Sequence, residues 1–279
     1  MDAIRAVFLD VGETIVDESR EYGAWADWLG VPRHTFSAVL GAVIARRQDY
    51  QDTFQFFKPG FDLAEERRRR VAAGQPESWA EDALYPDARP CMEALRAMGL
   101  RVGLAGNQTK EAEAILRSLD LPVDLVGTSD AWGVEKPSPG FFARIVEEAG
   151  CEAGSVLYVG DRIDNDVGPA QRAGLATAFI RRGPWGYILR DAALEEACLF
   201  RLVTLAELPD LVRKHNETAG STPGRRGTSA APRARRGRGF RAESEVRREA
   251  VLSVAPRTGC GRRRPLARIP RGAPRSLPA

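Results

Sequence analysis

Apolar residues along this chain follow two rhythms. Short β-rich runs recur at Ile4–Leu9, Val102–Ala105, Val123–Val126, Val156–Val159 and Leu175–Ile180, with a weaker one at Leu199–Val203. Helix-length stretches such as Pro86–Met98, Lys110–Leu119 and Pro139–Ala149 separate them. Strands alternating with helices of this length predict βαβ units and an α/β, Rossmann-like three-layer core around a parallel sheet. In such sheets ligands bind beyond the carboxyl ends of the strands.

Residues 16–84 break that alternation. Tyr22, Trp25, Trp28 and Leu29, then Phe36, Val39, Leu40, Val43 and Ile44, recur at helical spacing with no strand pattern between them. Pro32 followed by Thr35 marks a helix boundary. The block therefore predicts an all-helical insert after the first strand, its aromatics forming a small core. Phe54-Gln55-Phe56-Phe57 cannot all point inward on one helix, so part of it is free to face a cleft. Arg67 to Arg70, beside Glu65 and Glu66, read as a solvated helix face.

Charge divides the chain further. The net +3 combines a body near −9 with a segment from Asn216 onward that holds 16 Arg against four Glu, a net +12. That segment is rich in Pro, Gly and Ser, buries too little apolar surface to offset its chain entropy, and is expected to be a disordered tail. Its arginines offer the one route to nucleic acid; Phe240, its single aromatic, gives little stacking. No apolar run approaches the roughly 20 residues that span a bilayer, and Met1–Asp10 runs straight into a strand, so the expected location is the cytoplasm without membrane contact. The four cysteines form no C-x-x-C pair. Two histidines, His34 and His215, leave little for a His-based metal site or a Ser-His-Asp triad. The chemistry falls to carboxylates.

Those carboxylates lie where strands end. Asp10-Val11-Gly12-Glu13-Thr14 closes the first run, although Asp before Gly alone often only makes a turn. Lys136 stands in Gly133-Val134-Glu135-Lys136-Pro137, just ahead of a predicted helix, and Val159-Gly160-Asp161-Arg162-Ile163-Asp164-Asn165-Asp166 forms an acidic loop after another strand.

In order and separation these segments resemble motifs I, III and IV of the haloacid dehalogenase superfamily, over roughly Ile4–Val212. The resemblance implies a catalytic core from residues 1–15 and 85–215, a C1-type helical cap over 16–84, and a tail over 216–279. It implies Asp10 as a nucleophile that forms an aspartyl-phosphate and Lys136 as the cation that neutralises the phosphoryl group or positions Asp10. It further implies Mg²⁺ held by Asp10, the Gly12 carbonyl and Asp161, with Asp166 or Asp164 supporting the ligand shell.

Two departures weigh against a routine assignment. Phosphatases of that superfamily carry a second Asp where this chain has Gly12, and that Asp protonates the leaving group and activates water. Where the family has Ser or Thr before an Asn, this chain has Gly106 before Asn107, so anion binding falls to backbone N–H groups there. Glu13, Asp17, Glu18 and His34 are candidate substitutes for the acid, with none favoured, and a good leaving group needs no acid. Two readings stay open: a Mg²⁺-dependent hydrolase of small phosphorylated metabolites, and a catalytically degenerate relative that binds a phosphorylated ligand or partner. C–halogen cleavage and C–P cleavage through a cap lysine, here Lys58, are minor alternatives. The resemblance allows a monomer or a homodimer.

Overall fold

Each of the six apolar runs becomes a parallel strand of one sheet in the computed structural model, which describes residues 2–221. The strands are β1 (Ala6–Leu9), β2 (Arg101–Gly106), β3 (Leu125–Thr128), β4 (Val156–Gly160), β5 (Ala176–Ile180) and β6 (Phe200–Leu202), in the order β3-β2-β1-β4-β5-β6. β1 is central: Phe8 pairs with Gly103 on one side and Tyr158 on the other. β3 starts two residues later than the sequence suggests. Asp124 precedes it and uses its carboxylate to accept from the Val102 N–H at 2.8 Å, so it ends a ladder instead of extending one.

Strand alternation sends Val7, Leu9, Leu104 and Val159 to one face and Ala6, Phe8 and Tyr158 to the other. Both faces are covered, which is why these strands read as nearly continuous apolar runs. The first face carries α5 (Ala88–Ala97), α6 (Lys110–Ser118) and α12 (Leu208–Ser221); the second carries α8 (Pro139–Ala149), where Phe141 and Phe142 are fully buried. Burying such a ring is worth about 1.5–3 kcal/mol. Ser138 caps α8, its Oγ accepting from the Gly140 N–H, Pro139 opens the helix, and left-handed Gly150 ends it.

Between β1 and α5 the chain forms α1 (Ser19–Trp28), α2 (Arg33–Ala45), α3 (Asp52–Phe57) and α4 (Leu63–Ala72). Trp25, Phe36, Phe54 and Phe61 make their core, with Phe54 and Phe61 stacked at 4.7 Å between centroids. Phe54 is buried while Phe56 is 70% exposed. The solvated reading of the arginine run fails at its last member. Arg70 is 4% exposed, pairs with Glu21 at 2.5 Å and stacks 4.2 Å over the Trp25 ring, because its helical position turns it under the small core. The entry and exit of this insert are tied by isolated β-bridges, Gly12 to Val16 and Val16 to Leu84. Leu40 and Ile44 of α2 pack with Phe179, Trp185 and Leu189 around α10 (Gly183–Ile188); α7 (Ser129–Trp132), α9 (Gly168–Arg172) and α11 (Ala192–Glu196) are short connecting helices.

α12 continues to Ser221, so residues 216–221 are helical where the sequence suggests tail. Asn216 explains the difference: its side chain accepts from the Ile4 N–H at 2.7 Å and donates to the Ile4 carbonyl at 2.8 Å, clamping the chain ahead of β1. The remainder of the expected tail lies outside the described residues. Among the described residues no helix is long and apolar enough to cross a membrane.

Candidate active site

The central strands aim their carboxyl ends at one point. Asp10 follows β1, Gly106 closes β2 and Asp161 follows β4, so pairing of β1 with both neighbours gathers all three loops. Lys136, 126 residues from Asp10 in sequence, enters from the loop before α8. Its Nζ lies 2.7 Å from Asp10 Oδ1 and 2.6 Å from Asp166 Oδ1, and it is almost wholly buried. The Tyr158 ring sits 5.7 Å from the ammonium, its hydroxyl donating to the Ala105 carbonyl. Asn107 holds the Lys136 main chain, accepting from its N–H at 2.7 Å and donating to its carbonyl at 2.9 Å.

The acidic loop places Asp166 with Asp10 and Asp161, and Asp164 apart from them. One π-helical turn over Ile163–Val167 carries Asp166 back beneath Gly160, where a β-carbon would lie 2.3 Å from Asp166 Oδ2. Asp166 is fully buried and also accepts from the Arg162 N–H at 2.9 Å. Asp164 instead turns outward to an ion pair with Arg162.

Asp10, Asp161 and Asp166 each offer an oxygen within 4.8 Å of the others. Three buried carboxylates against one ammonium leave a formal excess of two negative charges. Burial works against the Lys136 charge, but Asp10 and Asp166 overcome it and raise its pKa well above the ordinary lysine value. Burial likewise pushes Asp166 up to about 6 against the pull of Lys136. Burial, with Asp166 and Asp10 beside it, drives Asp161 well above the carboxylate range. Asp161 Oδ2 is buried without a hydrogen-bond partner. An orphaned oxygen inside an under-neutralised carboxylate cluster fits a hard divalent cation.

These groups open onto a cavity of about 640 Å³ whose far wall belongs to the helical insert, including Tyr22, Trp25, Phe54 and Arg67. The two glycines that depart from the family pattern both have their side-chain space filled. A β-carbon on Gly106 would lie 2.8 Å from Asp10 Oδ1. A β-carbon on Gly12 would lie 2.7 Å from Glu18 Oε1. Burial, with Glu13 and Asp10 nearby, pushes the Glu18 carboxyl well above its usual range. Glu13, in the left-handed region at φ 52°, is occupied by Tyr85, whose hydroxyl donates to it at 2.6 Å. Asp17 accepts from the Ser19 N–H and His34 is exposed on α2; neither lines the cavity. Lys58 pairs with Glu66 at 2.6 Å, away from the cavity wall. Tyr158 and Arg162 join the site without having been singled out in the sequence. Tyr158, the one hydroxyl-bearing residue in the β4 run, is the signal available there.

A sequence model described as haloacid dehalogenase-like hydrolase matches residues 4–174. A glyceraldehyde 3-phosphate phosphatase of Methanopyrus kandleri is 38% identical over 104 residues, covering 36% of this chain and 45% of that protein. Its namesake in Pyrococcus abyssi is 31% identical over 196 residues, covering 64% of this chain and 82% of that protein. The chain spans about half the length of the curated relatives it matches first, from 45% to 59%. The fold is similar to that of L-2-haloacid dehalogenase from Xanthobacter autotrophicus, with a TM-score of 0.54 at 20% identity, over 76% of this chain and 99% of that one.

Proposed function

This chain belongs to the haloacid dehalogenase-like hydrolases, and on that premise we propose that it is a Mg²⁺-dependent phosphatase of small phosphorylated metabolites with Asp10 as nucleophile. The observation that carries this reading is the convergence of Asp10, Lys136, Asp161 and Asp166, with Asp161 Oδ2 left orphaned. The names of the Methanopyrus and Pyrococcus relatives support a three-carbon sugar phosphate, or a compound of that size, as the substrate class.

Asp10, Asp161 and the Gly12 carbonyl would hold the cation, with Asp166 completing the acidic pocket. When bound, Mg²⁺ supplies charge neutralisation and Lewis-acid polarisation of a phosphoryl oxygen. Lys136 fixes the Asp10 carboxylate through Oδ1, and one Asp10 oxygen attacks phosphorus. The P–O bond to the leaving group breaks as the bond to Asp10 forms; water then attacks the phosphoryl group and frees Asp10. Lys136 stays charged throughout and offsets the growing negative charge on the phosphoryl oxygens. Backbone N–H groups of Gly106 and Asn107 take the place of the absent hydroxyl. Residues 16–84 act as the cap that shapes the substrate end of the cavity and excludes water. Free thiols at Cys91, Cys151 and Cys198 support a reducing, cytoplasmic setting.

A second reading, a binder without turnover, draws on Gly12 and Gly106, which lack the proton-transfer and hydroxyl groups of active relatives. One experiment separates the two: turnover of p-nitrophenyl phosphate with and without Mg²⁺, for the wild type and Asp10→Asn. Mg²⁺-dependent turnover lost in Asp10→Asn supports the phosphatase; phosphate binding without turnover supports the binder.

A further inference from the structure

Position 12 has no side chain, yet the place is not empty of chemistry. A β-carbon built on Gly12 would lie 2.7 Å from Glu18 Oε1, 2.8 Å from Glu18 Cδ and 3.1 Å from Oε2. An aspartate there would hold its own carboxylate oxygens about 2.4 Å from the same β-carbon, given carbon–carbon and carbon–oxygen bonds of ordinary length. One Glu18 oxygen, Oε1, therefore stands nearly as close to that β-carbon as a missing aspartate's own oxygens would. It arrives from a different element, the residue that precedes α1.

Its backbone is well fixed for that task. Val16 bridges to both Gly12 and Leu84, the Asp17 N–H donates to the Ala83 carbonyl at 2.8 Å, and the Glu18 carbonyl accepts from the Tyr22 N–H at 3.0 Å. Glu18 thus moves with the entry strand of the insert and lines the same cavity as Asp10 and Lys136. Among the described residues its carboxyl has no hydrogen-bond or ion-pair partner, unlike Glu13, Glu21 and Glu66.

We propose that Glu18 is the proton-transfer residue of this enzyme, replacing the carboxylate absent at position 12 with one delivered from the start of the cap. This rests on the phosphatase reading above. As the bond from Asp10 to phosphorus forms and the ester P–O bond breaks, the electron pair stays on the leaving oxygen, which takes the Glu18 proton. In the second step the Glu18 carboxylate takes a proton from the attacking water as the P–O bond to Asp10 breaks, which restores the starting acid.

The test is pre-steady-state kinetics of the full chain with Mg²⁺ and two substrates, p-nitrophenyl phosphate and glycerol 3-phosphate. Glu18→Gln should slow phosphoryl transfer from the alkyl ester about 10²–10⁴-fold. Nitrophenolate needs no proton to leave, so Glu18→Gln should still release one equivalent as a burst, within about tenfold of the wild-type rate, before slow turnover. Glu18→Ala should regain at least about tenfold in turnover when Gly12→Asp is added, because the freed space admits the aspartate. Equal loss of the first step for both substrates, no loss for either, or no gain from Gly12→Asp in the Glu18→Ala background would overturn the assignment. Wild-type chain with no turnover of either ester would overturn the phosphatase reading itself, and the Glu18 role with it. Turnover that disappears in Asp10→Asn but keeps its leaving-group profile in Glu18→Gln would remove Glu18 alone.

Discussion

Asn107 grips Lys136 by the main chain, its amide oxygen 2.7 Å from the Lys136 nitrogen and its amide nitrogen 2.9 Å from the Lys136 carbonyl. The pair links the loop after β2 to the loop before α8, and so fixes where the buried ammonium enters the carboxylate cluster. Asn107 acts here as a positioning residue, leaving only its own N–H for a phosphoryl oxygen. Asn107→Ala removes both bonds and should cost about 1–3 kcal/mol of stability. Misplacing Lys136 should lower kcat about 10–10²-fold. Thermal unfolding and steady-state rates, measured on the same preparation, check both.

Lys136→Met removes the buried ammonium that bonds two members of the three-carboxylate cluster. Without divalent metal the variant should lose about 3–5 kcal/mol, the usual cost of breaking a buried pair. Added Mg²⁺ should then stabilise it more than it stabilises the wild type, while turnover disappears. Metal titrations followed by thermal shift distinguish this from a general loss of structure, in which Mg²⁺ would restore nothing.

Asp161 gives the opposite sign. Its orphaned, buried oxygen is a cost in the metal-free protein, so metal-free Asp161→Asn should be more stable than the wild type. With Mg²⁺ at a hundred times its Kd, the wild type should gain about 2.7 kcal/mol and the variant little. Denaturant titrations with and without Mg²⁺ measure the crossover; a wild type more stable in both conditions would contradict the cation fit.

Glu66 ties the helical insert together, accepting from Lys58 Nζ at 2.6 Å, Trp28 Nε1 at 2.8 Å and Arg69 at 3.0 Å. The Lys58 bond, then that of Trp28, holds its pKa below the ordinary glutamate value. A carboxylate whose folded pKa is depressed stabilises fully above its unfolded pKa of about 4.3 and loses that contribution as pH falls through the lower folded value. The wild type should therefore exceed Glu66→Gln in stability at neutral pH, and the two should converge as the solution is acidified below about pH 4. Urea midpoints across that range test it.

Much of this architecture is legible in the sequence, because two-sided burial makes strands such as β1 and β4 nearly all apolar and α8 is bounded by Ser138, Pro139 and Gly150. Asp10, Lys136 and Asp161 are recognisable from the motifs around them. What the sequence hides depends on backbone paths between elements. The choice of Asp166 over Asp164 rests on a π-turn, and the Glu18 approach to Gly12 on bridges at both ends of the insert. Neither leaves a periodic signature. Arg70 reads as solvated because its neighbours are, and residues 216–221 read as tail because Asn216 finds its partner, Ile4, 212 residues away.

A phosphatase with Asp10 as nucleophile must carry a phosphoryl group on Asp10 during turnover. The most direct measurement is mass spectrometry of acid-quenched protein after brief exposure to acetyl phosphate and Mg²⁺. A single phosphoryl group on the peptide holding Asp10, absent when Mg²⁺ is omitted and absent from Asp10→Asn, is the predicted result. Turnover with no phosphoryl group on that peptide at any quench time, and with Asp10→Asn still active, would contradict the account.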